Sequence, residues 1–164
     1  RKVAIKRELL VLARVTAVFL LHLAGFAAVL LVLSFAGHPI EWLYLPAAVM
    51  MILLLSILAL GLGLLLGAVQ VIVPSLQQFV QPLMLLVFFS TPILWGPQML
   101  PEEYRPLLEY NPIAWWVSSM RQLLLHAELP DFLMTLKFSF GAGAVLLLGH
   151  WVFRRLSIHF EDYL

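Results

Sequence analysis

Cysteine is absent from these 164 residues. That excludes disulfides, thiolate nucleophiles and cysteine-ligated metals within them, and says little about compartment. Charge is scarce too: 12% of the residues are Asp, Glu, Lys or Arg, and the net charge is +1. A general polyanion-binding surface needs a basic excess, so nucleic acid is not an expected partner, and only the placement of charge is informative. The histidines at 22, 38, 126, 150 and 159 include no pair at metal-ligand spacing on one helix. Ser118 and Ser119 lack the glycine-flanked setting of an activated serine, and no glycine-rich phosphate loop occurs. The sequence thus offers no catalytic residue and no metal site. It shows no internal repeat or low-complexity segment.

What is present is apolar. Hydrophobic residues make up 63% of the chain, and its mean hydropathy is +1.00. A soluble domain of this length has too little interior for that much apolar surface, so lipid is the expected solvent. The first residue is Arg1 and not Met, which suggests a fragment or a processed piece. Basic residues 1–7 ahead of apolar sequence could suggest a signal peptide. The run 15–35 is too long for a signal core, however, and no small-residue cleavage site follows it.

A spanning helix needs roughly 20 apolar residues. Four stretches qualify: 15–35, 45–73, 79–95 and 132–153. Gly37-His38-Pro39 ends the first with turn chemistry. The second is long enough to tilt. The third is a little short, with Pro82 placed in its first turn, where proline is tolerated. The fourth carries Lys137 near one end, able to snorkel. Lys and Arg gather before the first span, from Arg1 to Arg14, and after the last, at Arg154 and Arg155. The positive-inside rule therefore places both ends, including a tail at 154–164, in the cytoplasm.

Residues 96–130 then lie outside. They hold Pro97, Pro101, Pro106 and Pro112, the carboxylates Glu102, Glu103, Glu109 and Glu128, and an apolar run at 113–125. About thirteen apolar residues are too few to cross and suggest a re-entrant segment. Pro101-Glu102-Glu103 reads as a helix start, with carboxylates near the positive end of the dipole. Asn111-Pro112 reads as a second start capped by Asn111. Two short helices, about 101–109 and 112–125, are expected to form a hairpin that dips into the outer face as a gate or lid.

Trp95, Tyr104, Tyr110, Trp115 and Trp116 cluster around this hairpin. Two readings stand: a belt at the headgroup level, or an aromatic-lined exit for a sugar chain. Arg121 lies in the apolar part. It is a functional candidate if it sits at membrane depth, with Glu102, Glu103 or Glu109 as partner, or a phosphate contact if it sits at headgroup level. Ala59, Gly63 and Gly67 share one helix face, with Gly61 nearby, and are expected to let another helix approach closely. Arg1–Arg14 mixes basic and apolar residues, and suits either the inner lipid surface or a cytoplasmic partner.

Ser90-Thr91-Pro92-Ile93 ends a span, Leu100-Pro101-Glu102 and Asn111-Pro112 follow with Arg121 downstream, and Phe153-Arg154-Arg155-Leu156 with Phe160 closes the sequence. In these pieces the segment 61–125 and the closing residues resemble the permease subunit of type 2 ABC exporters, in the branch that exports polysaccharides such as O-antigen, capsule and teichoic acid. The resemblance implies the C-terminal part of a six-span ABC exporter transmembrane domain. The fold is then an all-α membrane protein with four transmembrane helices plus a re-entrant outer hairpin, residues 101–109 and 112–125 matching the family's gate helices.

It also implies residues 1–14 as the end of a cytoplasmic coupling region, with Lys2, Lys6, Arg7 and Glu8 facing the partner. It implies a homodimer with two ABC ATPase subunits, which would bind ATP and Mg while this chain binds no cofactor and hydrolyses nothing. An undecaprenyl-linked glycan would pass through an aromatic-lined channel in the bacterial inner membrane. Trp95, Tyr104, Tyr110, Asn111, Pro112, Trp115, Trp116 and Arg121 are the gate and path candidates. One departure is the loop 70–77, which is uncharged where the family usually carries charge. Alternative readings are a same-family exporter of a lipid, drug or small hydrophobic molecule, a membrane-embedded enzyme on lipid-linked sugars, and a non-transporting assembly subunit.

Overall fold

The computed structural model describes residues 7–37 and 41–157. The helices are α1 (Arg7–Phe35), α2 (Leu45–Ile72), α3 (Leu76–Ser90), α4 (Pro106–Glu109), α5 (Pro112–His126) and α6 (Phe132–Ser157). Single 3-10 turns lie at Trp42–Tyr44, Pro97–Met99 and Glu102–Tyr104. There is no strand among the described residues. Leu12–Phe35, Trp42–Ile72 and Phe132–Ser157 are each long and apolar enough to cross a bilayer, and Leu76–Ser90 is a shorter apolar helix. The basic residues from Arg7 to Arg14 continue directly into the first of these stretches, as one helix.

α3 runs from 76 to 90, not 79 to 95. A short turn, with the Leu76 amide donating to the Val73 carbonyl and Gln78 to Ser75, starts it early. Pro82 consequently lies inside the helix and not in its first turn, where it removes a backbone donor. Pro92 ends the helix early, because the residue before a proline is pushed out of the α region. Thr91 is extended, at φ −99° and ψ 134°.

In lipid, apolar burial no longer drives helices together, so close packing must do so. The tightest packing joins α2 to α6. A Cβ built on Gly61 would lie 2.6 Å from the Leu146 amide nitrogen and 2.7 Å from its Cα, and one on Gly149 would meet the Gly61 carbonyl oxygen. The small-residue face at this crossing is therefore Gly61, with Leu64 and Ala68 buried beside it. The expected stripe of Ala59, Gly63 and Gly67 is displaced from it: Gly67 has open space at its Cβ position, and Ala59 faces a groove beside α1. Side chains three and four apart share a face, and residue 61 heads a different face from residue 59.

The register of this crossing sets the topology. Leu58 shares a cleft with Ala142 and Val145, Gly61 meets Leu146 and Gly149, and Leu64 and Ala68 cluster with Phe153. Residue numbers rise together, so α2 and α6 run parallel. The turn at 73–75, spanned by a Gln70 Nε2 to Gln77 Oε1 hydrogen bond of 3.2 Å, sends α3 back the other way. Residues 91–131 therefore leave and rejoin the bundle at the end where α2 begins.

Candidate functional site

The connection between α3 and α6 is built on α5. Asn111 caps it: its Oδ1 accepts from the Ile113 and Ala114 amides at 3.0 and 3.2 Å. The first short helix is broken instead of running continuously over 101–109. Pro101 precedes a 3-10 turn at Glu102–Tyr104, and Pro106 opens the single turn of α4. A proline ring forbids the helical hydrogen bond that would join them.

α5 runs along α2 in the opposite sense. Tyr110 and Pro112 share a cleft with Leu58, Trp116 Nε1 donates to the Met51 carbonyl at 2.8 Å, and Leu123 packs with Ala48. At about 1.5 Å per residue, Leu58 lies about 20 Å along α2 from Leu45. The start of α5 is thus deep beside α2, and its end returns to where α2 begins. Trp115 reaches the third partner: its ring lies 5.4 Å from that of Phe138 on α6.

The elbow after α3 completes the arrangement. Thr91 is fully buried; its Oγ1 donates to the Val87 carbonyl at 2.7 Å and accepts from Asn111 Nδ2 at 3.4 Å. Arg121 Nη2 donates to the Pro92 and Ile93 carbonyls at 2.9 and 3.3 Å. Helical side chains tilt toward the N-terminus, so Arg121 reaches back toward the elbow that Asn111 also holds. These carbonyls follow the break at Pro92, outside any helix, and so need donors. Arg121 meets backbone here and not Glu102, which pairs instead with Arg105 at 3.5 Å on the exposed surface. The side chain of Glu109 lies outside the described residues.

The sequence-derived aromatic set divides. Tyr110, Pro112 and Trp115 line a cleft of about 320 Å³ with Lys137 and Phe138, between α2, α5 and α6. Trp116 lines a separate groove of about 540 Å³ between α1 and α2, with Arg14 and His22. Trp95 donates from Nε1 to the Phe89 carbonyl at 3.2 Å, closing the end of α3, and Tyr104 is exposed. Arg121 also borders a polar pocket of about 190 Å³ with Gln98, Ser118, Gln122, His126 and Glu128. Lys2 and Lys6 lie outside the described residues. Arg7 and Glu8 lie in the first turn of α1, and their side chains are outside the described set.

Thr91 and Phe138 carry α5 contacts that sequence reasoning did not assign. Thr91 had a signal, a hydroxyl immediately before a helix-ending proline. Phe138 is one of many apolar residues on its helix and had none.

Trp116→Phe tests the anchoring directly. It keeps most of the ring volume and removes the bond to Met51, so a loss of about 1 kcal/mol is expected. A lowered thermal midpoint in detergent, with unchanged yield of folded protein, is the measurement.

Several apolar membrane-length helices, packed through glycine and carrying a latched helical connection, define a multi-pass α-helical membrane protein. The chain belongs to the ABC-2 type transporter family, whose sequence profile matches residues 3–125. Two relatives, each an O-antigen export system permease protein RfbA from Klebsiella pneumoniae, are 28% identical over 106 residues and 26% identical over 104. Each comparison covers 63% of this chain and 40% of the relative. The chain spans well under half the length of the curated relatives it matches.

Proposed function

We propose that the chain is part of the permease subunit of an ATP-driven ABC exporter that moves a lipid-linked polysaccharide, of O-antigen, capsule or teichoic acid type, across the bacterial cytoplasmic membrane. A separate ABC ATPase subunit hydrolyses the ATP, and two permease copies enclose the path. The observation that carries this reading is the cleft where Tyr110 and Trp115 meet beside the start of α5. Aromatic faces stack on the apolar faces of sugar rings, and the relatives are named for O-antigen export.

The anchoring supplies a mechanism. α5 is held by α2 through Trp116, by α6 through Trp115, and by the α3 elbow through Asn111 and Arg121. A relative shift of those helices cannot leave α5 in place. Nucleotide-driven motion reaching α1 through residues 1–14 would shift the bundle and swing the hairpin open. The cycle needs the glycan to bind the two arrangements with different free energies.

Tyr110 gives the cleanest test, because it is 85% exposed and its truncation disturbs little packing. In the full-length permease, Tyr110→Ala is expected to lower surface glycan about tenfold at an unchanged membrane level of the protein, since an aromatic contact contributes about 0.5–1.5 kcal/mol beyond its area. Normal glycan export by Tyr110→Ala, at an unchanged membrane level of the protein, would remove this cleft from the path.

A second reading, export of a lipid or small hydrophobic molecule, draws support from the larger groove between α1 and α2, which is lined mainly by apolar residues. Stimulation of the partner ATPase by such a molecule and not by lipid-linked glycan would favour it.

A further inference from the structure

The cleft between α2, α5 and α6 contains a cation that the transport reading does not use. Lys137 is the sixth residue of α6, about 7.5 Å along the axis from Phe132. It lines the cleft beside Tyr110, Pro112, Trp115 and Phe138. Among the described residues it has no hydrogen-bond or ion-pair partner. The carboxylate nearest in sequence, Asp131, is engaged elsewhere, accepting from the Met134 amide at 2.8 Å at the start of α6. Below Lys137 the walls are apolar: Leu58, Ala142 and Val145. Gly141 is also on the wall, and a Cβ there would meet nothing within 4 Å.

We propose that this cleft binds the phosphate of a membrane phospholipid, with the Lys137 ammonium as its counter-charge and the upper part of one acyl chain against the apolar wall. Three observations select this occupant. An unpartnered ammonium calls for an anion, and a position one turn and a half inside an apolar helix puts it within snorkelling reach of lipid phosphates. The walls are apolar, as an acyl chain requires. The volume of about 320 Å³ is at the small end for a ligand site, which suits a head and part of one chain.

The test uses the full-length permease, purified and delipidated, with phosphatidylglycerol as the probe and native mass spectrometry as the readout. Lys137→Gln is expected to weaken retention of the lipid about fivefold, the loss of one cation near a phosphate. Lys137→Arg is expected to preserve retention. Gly141→Leu fills the cleft from an open position and is expected to abolish the bound lipid while the protein stays monodisperse. Diacylglycerol, which lacks the phosphate, is expected to bind wild type and Lys137→Gln equally. Equal retention of phosphatidylglycerol by wild type, Lys137→Gln and Gly141→Leu would overturn the proposal. So would binding of lipid-linked glycan alone, which would give the cleft to the substrate. Cross-linking of a cysteine at Gly141 to another protein segment would overturn it too, by showing the cleft filled.

Discussion

Replacing Gly61 with leucine is expected to separate α2 from α6 and to abolish recovery of monodisperse, folded permease. The atoms a Cβ would meet are the amide nitrogen and Cα of Leu146 and the carbonyl carbon of Val145. These belong to the backbone of a helix and cannot rotate away as a side chain would. Overpacking with flexible neighbours costs about 1–3 kcal/mol, and alanine at this position, pressed on backbone, costs at least the upper part of that range. Leucine adds three more carbons at a contact where the helices already touch main chain to main chain, so the helices must part. Parting them also exposes the Leu64, Ala68 and Phe153 cluster. Gly149→Val is expected to do the same from the other side, since its Cβ would press on the Gly61 carbonyl. Gly141→Ala is the control: its Cβ position is open, and glycine in a helix interior is less stable than alanine by about 0.5–1 kcal/mol, so the melting temperature should hold or rise. Size-exclusion profiles and thermal melts of the full-length variants in detergent are the measurement. A Gly61→Leu variant that elutes and melts like wild type would mean that the parallel register of α2 and α6 is wrong.

The second large effect is expected at the elbow. Arg121→Ala removes the donor from the Pro92 and Ile93 carbonyls. Hydrogen bonds to charged groups contribute about 1.5–3 kcal/mol; the lower end applies here, because the Ile93 bond is exposed. The amides of α5 should therefore exchange with deuterium about tenfold faster, with α1 unaffected. Arg121→Lys keeps the charge but presents a compact ammonium in place of a planar fork, and should recover only part of the protection. Asn111→Ala removes the cap of α5, worth about 0.5–2 kcal/mol, together with the bond to Thr91. Both residues hold the same three-residue elbow, so the double variant should lose less than the sum of the singles. Strict additivity would show that the two contacts act independently, and unchanged exchange in Arg121→Ala would show that the latch does not hold α5.

Much of this organisation could be read directly from residue order. Apolar runs of spanning length are a property of consecutive residues, and so are the breaks at Gly37 and Pro74 and the helix start at Pro112. Asn111 was recognisable as a cap because asparagine before proline has a local reason to start a helix. Errors came where a local rule met a neighbour. A span starting at 79 puts Pro82 in a first turn, but the turn at 73–75 starts α3 three residues earlier. The helix expected over 101–109 met Pro106, which divides it. The stripe at 59, 63 and 67 obeys the spacing rule for close packing, yet Gly61 makes the contact, because spacing tells which residues share a face and not which face has a partner.

The linear sequence alone determined that this protein is helical and belongs in lipid, because hydropathy and backbone chemistry act over a few residues at a time and every unpaired peptide group in a bilayer must bond within its own helix. Only the tertiary structure decided that α2 and α6 run parallel, that Trp115 and Trp116 turn to different helices, and that Arg121 closes on carbonyls 28 and 29 residues away. Those outcomes depend on which surfaces meet across the bundle, and adjacent residues on one helix face about 100° apart, so neighbours in sequence share neither partner nor role.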